Sequence, residues 1–399
     1  MCAFPVSSRS PARHRPWRAG GMRAPLVAAA VLATSPACAG VGPVRGAATA
    51  GGGASQAHAH ADSLADDVVR RWMAEHHLPG VALAVVREGR VVLARGHGIA
   101  DIARRTPVRP ETPFQIASVT KSFTAVATLM LVAEGRLALD APVGRYLPEL
   151  PAAWRPATSR QLLGHTSGIP SISAFERPPC DAGRAQADYR QGDVLREVAC
   201  LPLAFAPGER WAYGDTGYYL LGRIIAALTG DTYEAFLRAR MFAPLGMADT
   251  RLQRRPPLPD VAQGYRWAEG RHEPVPPLDP MVDEANGALV STVHDLARWG
   301  AALHTGRLLP AAVRDTMWTP VPVRTGAAPY GLGFGLTPFA GRRRVGHTGG
   351  GPDCATAFSI FPDDRLTVIL LANGELPQGR VQVFANEIAA VYLAPGPPR

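Results

Sequence analysis

Four short apolar runs, two near each end of the chain, constrain its fold more than any other feature. Residues 81–86 and 91–94 flank Glu88-Gly89, and residues 355–361 and 366–371 flank Asp363-Asp364. Each pair reads as two strands joined by a turn. Between the pairs the apolar spacing becomes helical. Residues 118–134 end at Gly135, residues 218–228 end near Gly230, and residues 292–304 make a third helix. Ser63 caps an earlier helix whose apolar face is Leu64, Val68, Trp72 and Met73, and residues 382–393 close the chain with another. Hairpins at both ends with helices between predict an α+β fold. One antiparallel sheet is built from both termini and flanked by helices, with a helix-rich lobe inserted in the middle. Residues 63–115 and 325–394 then form the α/β lobe and residues 116–324 the mainly helical one. No internal repeat is apparent.

The chain is long enough, at 399 residues, to bury a sizeable core, and its 47% hydrophobic and 19% charged content describes neither a disordered nor a membrane-embedded protein. The net charge of +9 does not point to nucleic acid. More than half of it sits in residues 1–39, as Arg9, Arg13, Arg15, Arg18 and Arg23 with no acid. The one remaining basic run, Arg342-Arg343-Arg344, reads as a surface loop.

Residues 1–39 read as a secretion signal. Arg23 precedes the apolar residues 26–33, and Ala37-Cys38-Ala39 supplies an A-x-A cleavage pattern. Either Met1 or Met22 can be the start. The apolar run is too short to span a bilayer, which predicts a secreted or periplasmic protein with no stable membrane insertion after cleavage. Lipid attachment at Cys38 is the alternative. Residues 40–62, rich in Gly, Ala and Ser and holding His58 and His60, read as a flexible linker. Export permits disulfides; Cys180 and Cys200 flank one loop-like segment and can pair, which leaves Cys354 as a small buried strand residue.

For chemistry, the strongest fact is a count. Lys121 is the only lysine among the 42 Lys and Arg residues. Where arginine serves everywhere else, a surviving lysine marks a position that needs an amine able to lose its proton, which a guanidinium cannot do. Ser118-Val119-Thr120-Lys121 places serine and lysine three residues apart on the first turn of a helix, where the amine reaches the hydroxyl. The helix N-terminus favours developing negative charge, and Phe123, Val126, Leu129 and Met130 bury the helix and desolvate the lysine. Two further constellations accompany it. Trp211-Ala212-Tyr213-Gly214-Asp215 lies in a loop before a helix, and Gly346-His347-Thr348-Gly349-Gly350 lies just before a strand, where glycines admit a substrate close to the backbone. Gly164-His165-Thr166-Ser167-Gly168 is not the G-x-S-x-G nucleophile elbow, and Ser167 reads as part of a structural loop.

From about residue 64 to 393 the chain resembles the serine hydrolases of the class C β-lactamase and D-alanyl-D-alanine carboxypeptidase family, which includes esterases and D-aminopeptidases. Besides these boxes, the resemblance rests on Leu162-Leu163-Gly164-His165, Pro207-Gly208-Glu209, Pro244-Leu245-Gly246-Met247, Asn286-Gly287-Ala288 and Tyr330-Gly331-Leu332-Gly333. It implies a β-lactamase/transpeptidase-like fold and an acyl-enzyme on Ser118, with Lys121 and Tyr213 moving protons. It also implies an oxyanion hole from the Ser118 and Gly350 backbone N–H groups, a wall of His347, Thr348 and Gly349, and no metal or organic cofactor. The implied partner is a small ester, amide or peptide.

Two positions depart from the pattern. Asp215 stands where the family usually has asparagine; a carboxylate cannot donate to a substrate carbonyl, and close to Lys121 it would keep that lysine charged. His347 stands where β-lactamases proper have lysine, which removes a permanent cation and favours esterase or peptidase chemistry. The expected activity is therefore hydrolysis of small esters or short D-amino-acid amides. A D,D-carboxypeptidase or weak β-lactamase is the nearest alternative, and a non-catalytic penicillin-recognising protein is the alternative of another class.

Overall fold

The computed structural model describes residues 51–172, 180, 193–196, 198–254, 256–277, 279–377 and 379–393. The leader with Cys38, and residues 40–50 of the expected linker, lie outside them. The fold is α+β, and its central element is a seven-stranded antiparallel sheet. In chain order the strands are β1 (Gly80–Arg87), β2 (Arg90–Asp101), β3 (Thr106–Pro107), β4 (Gly335–Leu336), β5 (Val345–Gly351), β6 (Cys354–Phe361) and β7 (Leu366–Ala372). Across the sheet they run β4-β5-β6-β7-β1-β2-β3. The first and last strands in chain order meet where Val81 on β1 pairs with Ala372 on β7.

Both faces of this sheet are covered, which is why its central strands read as continuous apolar runs rather than alternating ones. On β1, Ala82, Ala84 and Val86 point into one core, and Val81, Leu83 and Val85 into the other. The second core is closed by helices α1 (Gly51–His76) and α5 (Arg380–Leu393). The first is filled by α2 (Thr120–Ala133), α3 (Thr216–Thr229) and α4 (Val293–His304). Thr292 caps α4 by accepting from the Asp295 N–H at 3.1 Å.

Three expectations are corrected. The first helix begins at Gly51, not at Ser63, so residues 51–62 are helical rather than linker. The extension has a tertiary cause: Ala61 packs against the second core, and Asp62 accepts a hydrogen bond from the Tyr392 hydroxyl at 2.8 Å. Strand β2 runs well past residue 94, through Arg95-Gly96-His97-Gly98, which breaks the apolar pattern. A Cβ at Gly96 would stand 2.3 Å from the Val108 carbonyl oxygen, so close backbone packing selects glycine there. The Gly346–Gly350 box lies within strand β5 instead of just before a strand. Cys180 and Cys200 form a disulfide, and Cys354 is a buried free thiol. No helix among the described residues is long and apolar enough to cross a membrane.

Candidate active site

Ser118 sits in a 3₁₀ turn, Ala117–Val119, that leads straight into α2. The turn begins from a strained position, since Ala117 has φ of 43°. Neighbouring elements hold it there. The Ile116 N–H donates to the Leu289 carbonyl at 3.0 Å, and the Thr356 hydroxyl on β6 donates to the Ile116 carbonyl at 3.0 Å. Strand β5 passes directly beside this turn. A Cβ at Gly349 would lie 2.4 Å from both the Ile116 oxygen and the Thr356 hydroxyl. Gly349 thus admits the chain's own serine-bearing turn, whereas a Cβ at the exposed Gly350 would meet only the Cys354 carbonyl oxygen, at 3.9 Å.

Lys121 occupies the next turn and is completely buried. Its Nζ donates to Ser118 Oγ at 2.9 Å, to Asp215 Oδ1 at 2.6 Å and to the Asn286 carbonyl at 2.9 Å. Burial pulls the amine's pKa down, but the Asp215 carboxylate and Tyr213 outweigh it, and the pKa lies above its ordinary value. Asp215 precedes α3 without capping it by its side chain, because the carboxylate reaches Lys121 instead. The Ser171 hydroxyl fixes the Asp215 backbone, accepting from its N–H at 3.0 Å.

The Tyr213 ring stands 5.0 Å from Lys121 Nζ and is 42% exposed along the cleft. Desolvation raises the pKa of its hydroxyl, and the Asp215 carboxylate adds to the rise against the opposing pull of Lys121. The ring packs against His165 at 4.4 Å, and His165 Nδ1 accepts from the Gly214 N–H at 3.3 Å. Burial and the Lys121 charge keep His165 well below the ordinary imidazole pKa.

His347 Nδ1 lies 2.6 Å from the Thr348 carbonyl, and Nε2 lies 2.8 Å from the Tyr330 hydroxyl. A carbonyl can only accept, so Nδ1 carries the proton and Nε2 accepts from Tyr330. Burial, with Lys121 nearby, pushes the ring's pKa down to about 3, so His347 is a neutral imidazole at neutral pH.

All eight residues read from the sequence come together here. Ser118, Tyr213, His347, Thr348, Gly349 and Gly350 line one cleft of about 610 Å³, and Lys121 and Asp215 stand in contact behind Ser118. Ser167 does not line it; its hydroxyl accepts from the Ile169 N–H at 3.3 Å. The Arg342–Arg344 run is not simply a surface loop. Arg342 pairs with Asp364 and Arg343 lies 5.8 Å from the Trp318 ring, but Arg344 is buried against Thr337 and Asn386. Three contributors escaped the sequence reading: the Asn286 carbonyl, the His165 ring and the Tyr330 hydroxyl. Each lies within a stretch quoted for the resemblance, which is the signal that could have found it.

A family model described as Beta-lactamase matches residues 65–392. Penicillin-binding protein 4* of Bacillus subtilis is 30% identical over 317 residues, covering 75% of this chain and 69% of its own. Esterase EstB of Burkholderia gladioli is 37% identical over 206 residues, 48% of this chain and 50% of that one. Among solved structures, D-amino acid amidase from Ochrobactrum anthropi SV3, complexed with L-phenylalanine amide, superposes with a TM-score of 0.70 at 26% identity, covering 84% of this chain and 98% of that one. With its sheet, its serine–lysine turn and this match across most of its length, the chain belongs to the β-lactamase family of serine hydrolases.

Proposed function

We propose that this serine hydrolase is exported and acts through an acyl-enzyme on Ser118, hydrolysing small esters or short D-amino-acid amides. The observation that carries the reading is the 2.9 Å contact between Lys121 Nζ and Ser118 Oγ at the mouth of the cleft. Because Lys121 donates to Ser118 Oγ, the hydroxyl hydrogen of Ser118 is left to face Tyr213, whose hydroxyl interacts with both residues. In its phenolate form Tyr213, stabilised by the Lys121 ammonium, takes the Ser118 proton as Oγ bonds to the substrate carbonyl carbon. The Ser118 and Gly350 N–H groups receive the developing oxyanion. Tyr213 then passes the proton to the leaving group as its bond to carbon breaks. Water attacks the acyl carbon and gives a proton to Tyr213; as the bond from that carbon to Ser118 Oγ breaks and the acid leaves, Tyr213 returns the proton to Oγ.

A neutral His347 leaves no charge on the wall where a lysine would hold a β-lactam carboxylate, which supports ester and amide substrates over β-lactams. The relatives named as an esterase and a D-amino acid amidase support the same class. Export is supported by the Cys180–Cys200 disulfide together with the leader pattern ending at Ala39.

Ser118→Ala is expected to fold, to take no covalent label from a fluorophosphonate, and to lose ester turnover by several orders of magnitude. Mass spectrometry of the labelled protein decides it. An adduct on another serine, or full activity in the variant, overturns the nucleophile. Strong labelling by a fluorescent penicillin with no ester turnover would favour the carboxypeptidase or penicillin-recognising reading instead.

A further inference from the structure

One residue holds the chain on both sides of Tyr213. The His165 carbonyl accepts the Ala212 N–H at 3.0 Å, and the His165 ring accepts the Gly214 N–H through Nδ1 at 3.3 Å. The loop carrying His165 is itself tied down. Its own N–H donates to the Leu162 carbonyl at 3.3 Å, and the next N–H, of Thr166, donates to the Gln161 carbonyl at 2.9 Å. His165 has φ of 56°, in the left-handed region that side chains rarely adopt. Such strain persists only where the surroundings impose it, and here it turns one residue's carbonyl and ring towards the same segment.

The ring separates a hydrogen-bonding role from mere space filling. A backbone N–H can only donate, so Nδ1 carries no proton and the neutral ring bears it on Nε2. Nε2 is buried and has no hydrogen-bond partner among the described residues. Around the ring stand Tyr213, Tyr218 and Tyr330, with centroids 4.4, 5.1 and 4.7 Å away. A phenylalanine would fill this space without burying an unsatisfied donor, which is destabilising. What histidine adds is the Nδ1 acceptor. Burial and the Lys121 charge hold the ring neutral, so the acceptor persists well below neutral pH.

We propose that His165 is a positioning residue for the reaction, its Nδ1 fixing the loop so that the Tyr213 hydroxyl faces Ser118 and Lys121. The inference rests on the Tyr213 relay proposed above. His165 lines neither the Ser118 cleft nor the cavity beside it, so it acts through Tyr213 and touches no substrate. Asp215 has a separate anchor in the Ser171 hydroxyl, which leaves Tyr213 as the group that the His165 bond governs.

The test is a double-mutant cycle on one neutral ester. His165→Phe keeps the bulk of the ring and removes the acceptor. It is expected to lower kcat about a hundredfold, with KM changed less than about threefold. In a Tyr213→Phe background the same substitution should lower kcat less than about threefold, because the group it positions is gone. His165→Asn, whose Oδ1 stands where Nδ1 stood and which tolerates a left-handed backbone, should recover about tenfold of the loss. Equal losses in the two backgrounds, or a His165→Asn no better than His165→Phe, overturn the proposal. Tyr213→Phe alone reports on the relay. Normal turnover there overturns the relay and this inference together, whereas a large loss there with additive losses in the cycle overturns this inference only. If His165→Phe lacks a cooperative thermal transition, ¹⁵N NMR of the wild-type imidazole decides. A protonated Nε2 with a bare Nδ1 at neutral pH is expected, and a proton on Nδ1 overturns the acceptor role.

Discussion

An ammonium has three hydrogens to donate, and Lys121 donates to Ser118, Asp215 and Asn286. That arrangement suits the charged amine, so the proposed proton relay depends on how tightly Asp215 holds the charge. The carboxylate raises the pKa of both Lys121 and Tyr213. Whichever of the two releases the proton, the active base form gathers as pH rises, and kcat/KM should climb towards alkaline pH. Asp215→Asn removes the negative charge and lowers both pKa values, so the rising limb should move to lower pH. A pH–rate profile of the two proteins on one neutral ester checks this. A limb that stays in place, or moves upward, would show that Asp215 does not control the base. The serine–lysine pair was legible in the sequence because the two residues are only three positions apart, where the 3₁₀ turn runs into the helix. The Asp215 contact was foreseen only as a condition, since the two residues are 94 positions apart.

The hairpin of β5 and β6 gathers much of the site, and its tip carries a measurable cost. Gly351 pairs with Cys354, leaving Pro352 and Asp353 as a two-residue turn. Asp353 is 4% exposed, its Oδ1 has no hydrogen-bond partner, and burial pushes its carboxyl up to about 6. A carboxyl whose folded pKa lies above its unfolded value contributes stability at low pH and loses it as pH rises through the folded value. Wild type should therefore lose stability between about pH 4 and pH 7 through this group, by about 2–3 kcal/mol. Asp353→Asn is neutral throughout. It should be more stable than wild type at pH 8, with the difference closing near pH 4, as measured by urea unfolding at the two pH values. A difference independent of pH would remove Asp353 as the cause. The strand itself was harder to find in the sequence than β6 or β7, because Gly346, Gly349 and Gly350 dilute its apolar pattern. At Gly349 the reason is tertiary: the Ser118 turn crosses the strand where a side chain would otherwise stand.

At the scale of the whole molecule, the first and last described helices hold each other. Trp72 on α1 is 1% exposed and stacks on Phe384 of α5 with ring centroids 4.8 Å apart, and its indole N–H donates to Glu387 at 3.0 Å. Trp72→Ala should therefore cost about 3–5 kcal/mol of unfolding free energy. Denaturant titration followed by circular dichroism measures it, and a cost below about 1 kcal/mol would show that the end-to-end contact contributes little. Trp72 was legible as part of an apolar helical face, but its partner was not.

By itself, the sequence determined the four central strands, the principal helices and the serine–lysine turn. Each is written in residues close together along the chain, as a continuous apolar run, a helical spacing or a single retained lysine. Only the tertiary structure decided which distant groups meet. Lys121 finds the Asn286 carbonyl across 165 positions, His347 finds Tyr330 across 17, and Arg344 finds Asn386 across 42. Helix α1 likewise reaches back past Ser63 because Asp62 and Ala61 have partners at the far end of the chain. Local propensity acts over one or two turns of backbone, whereas burial and charge act through space, and separation along the chain carries no record of that distance.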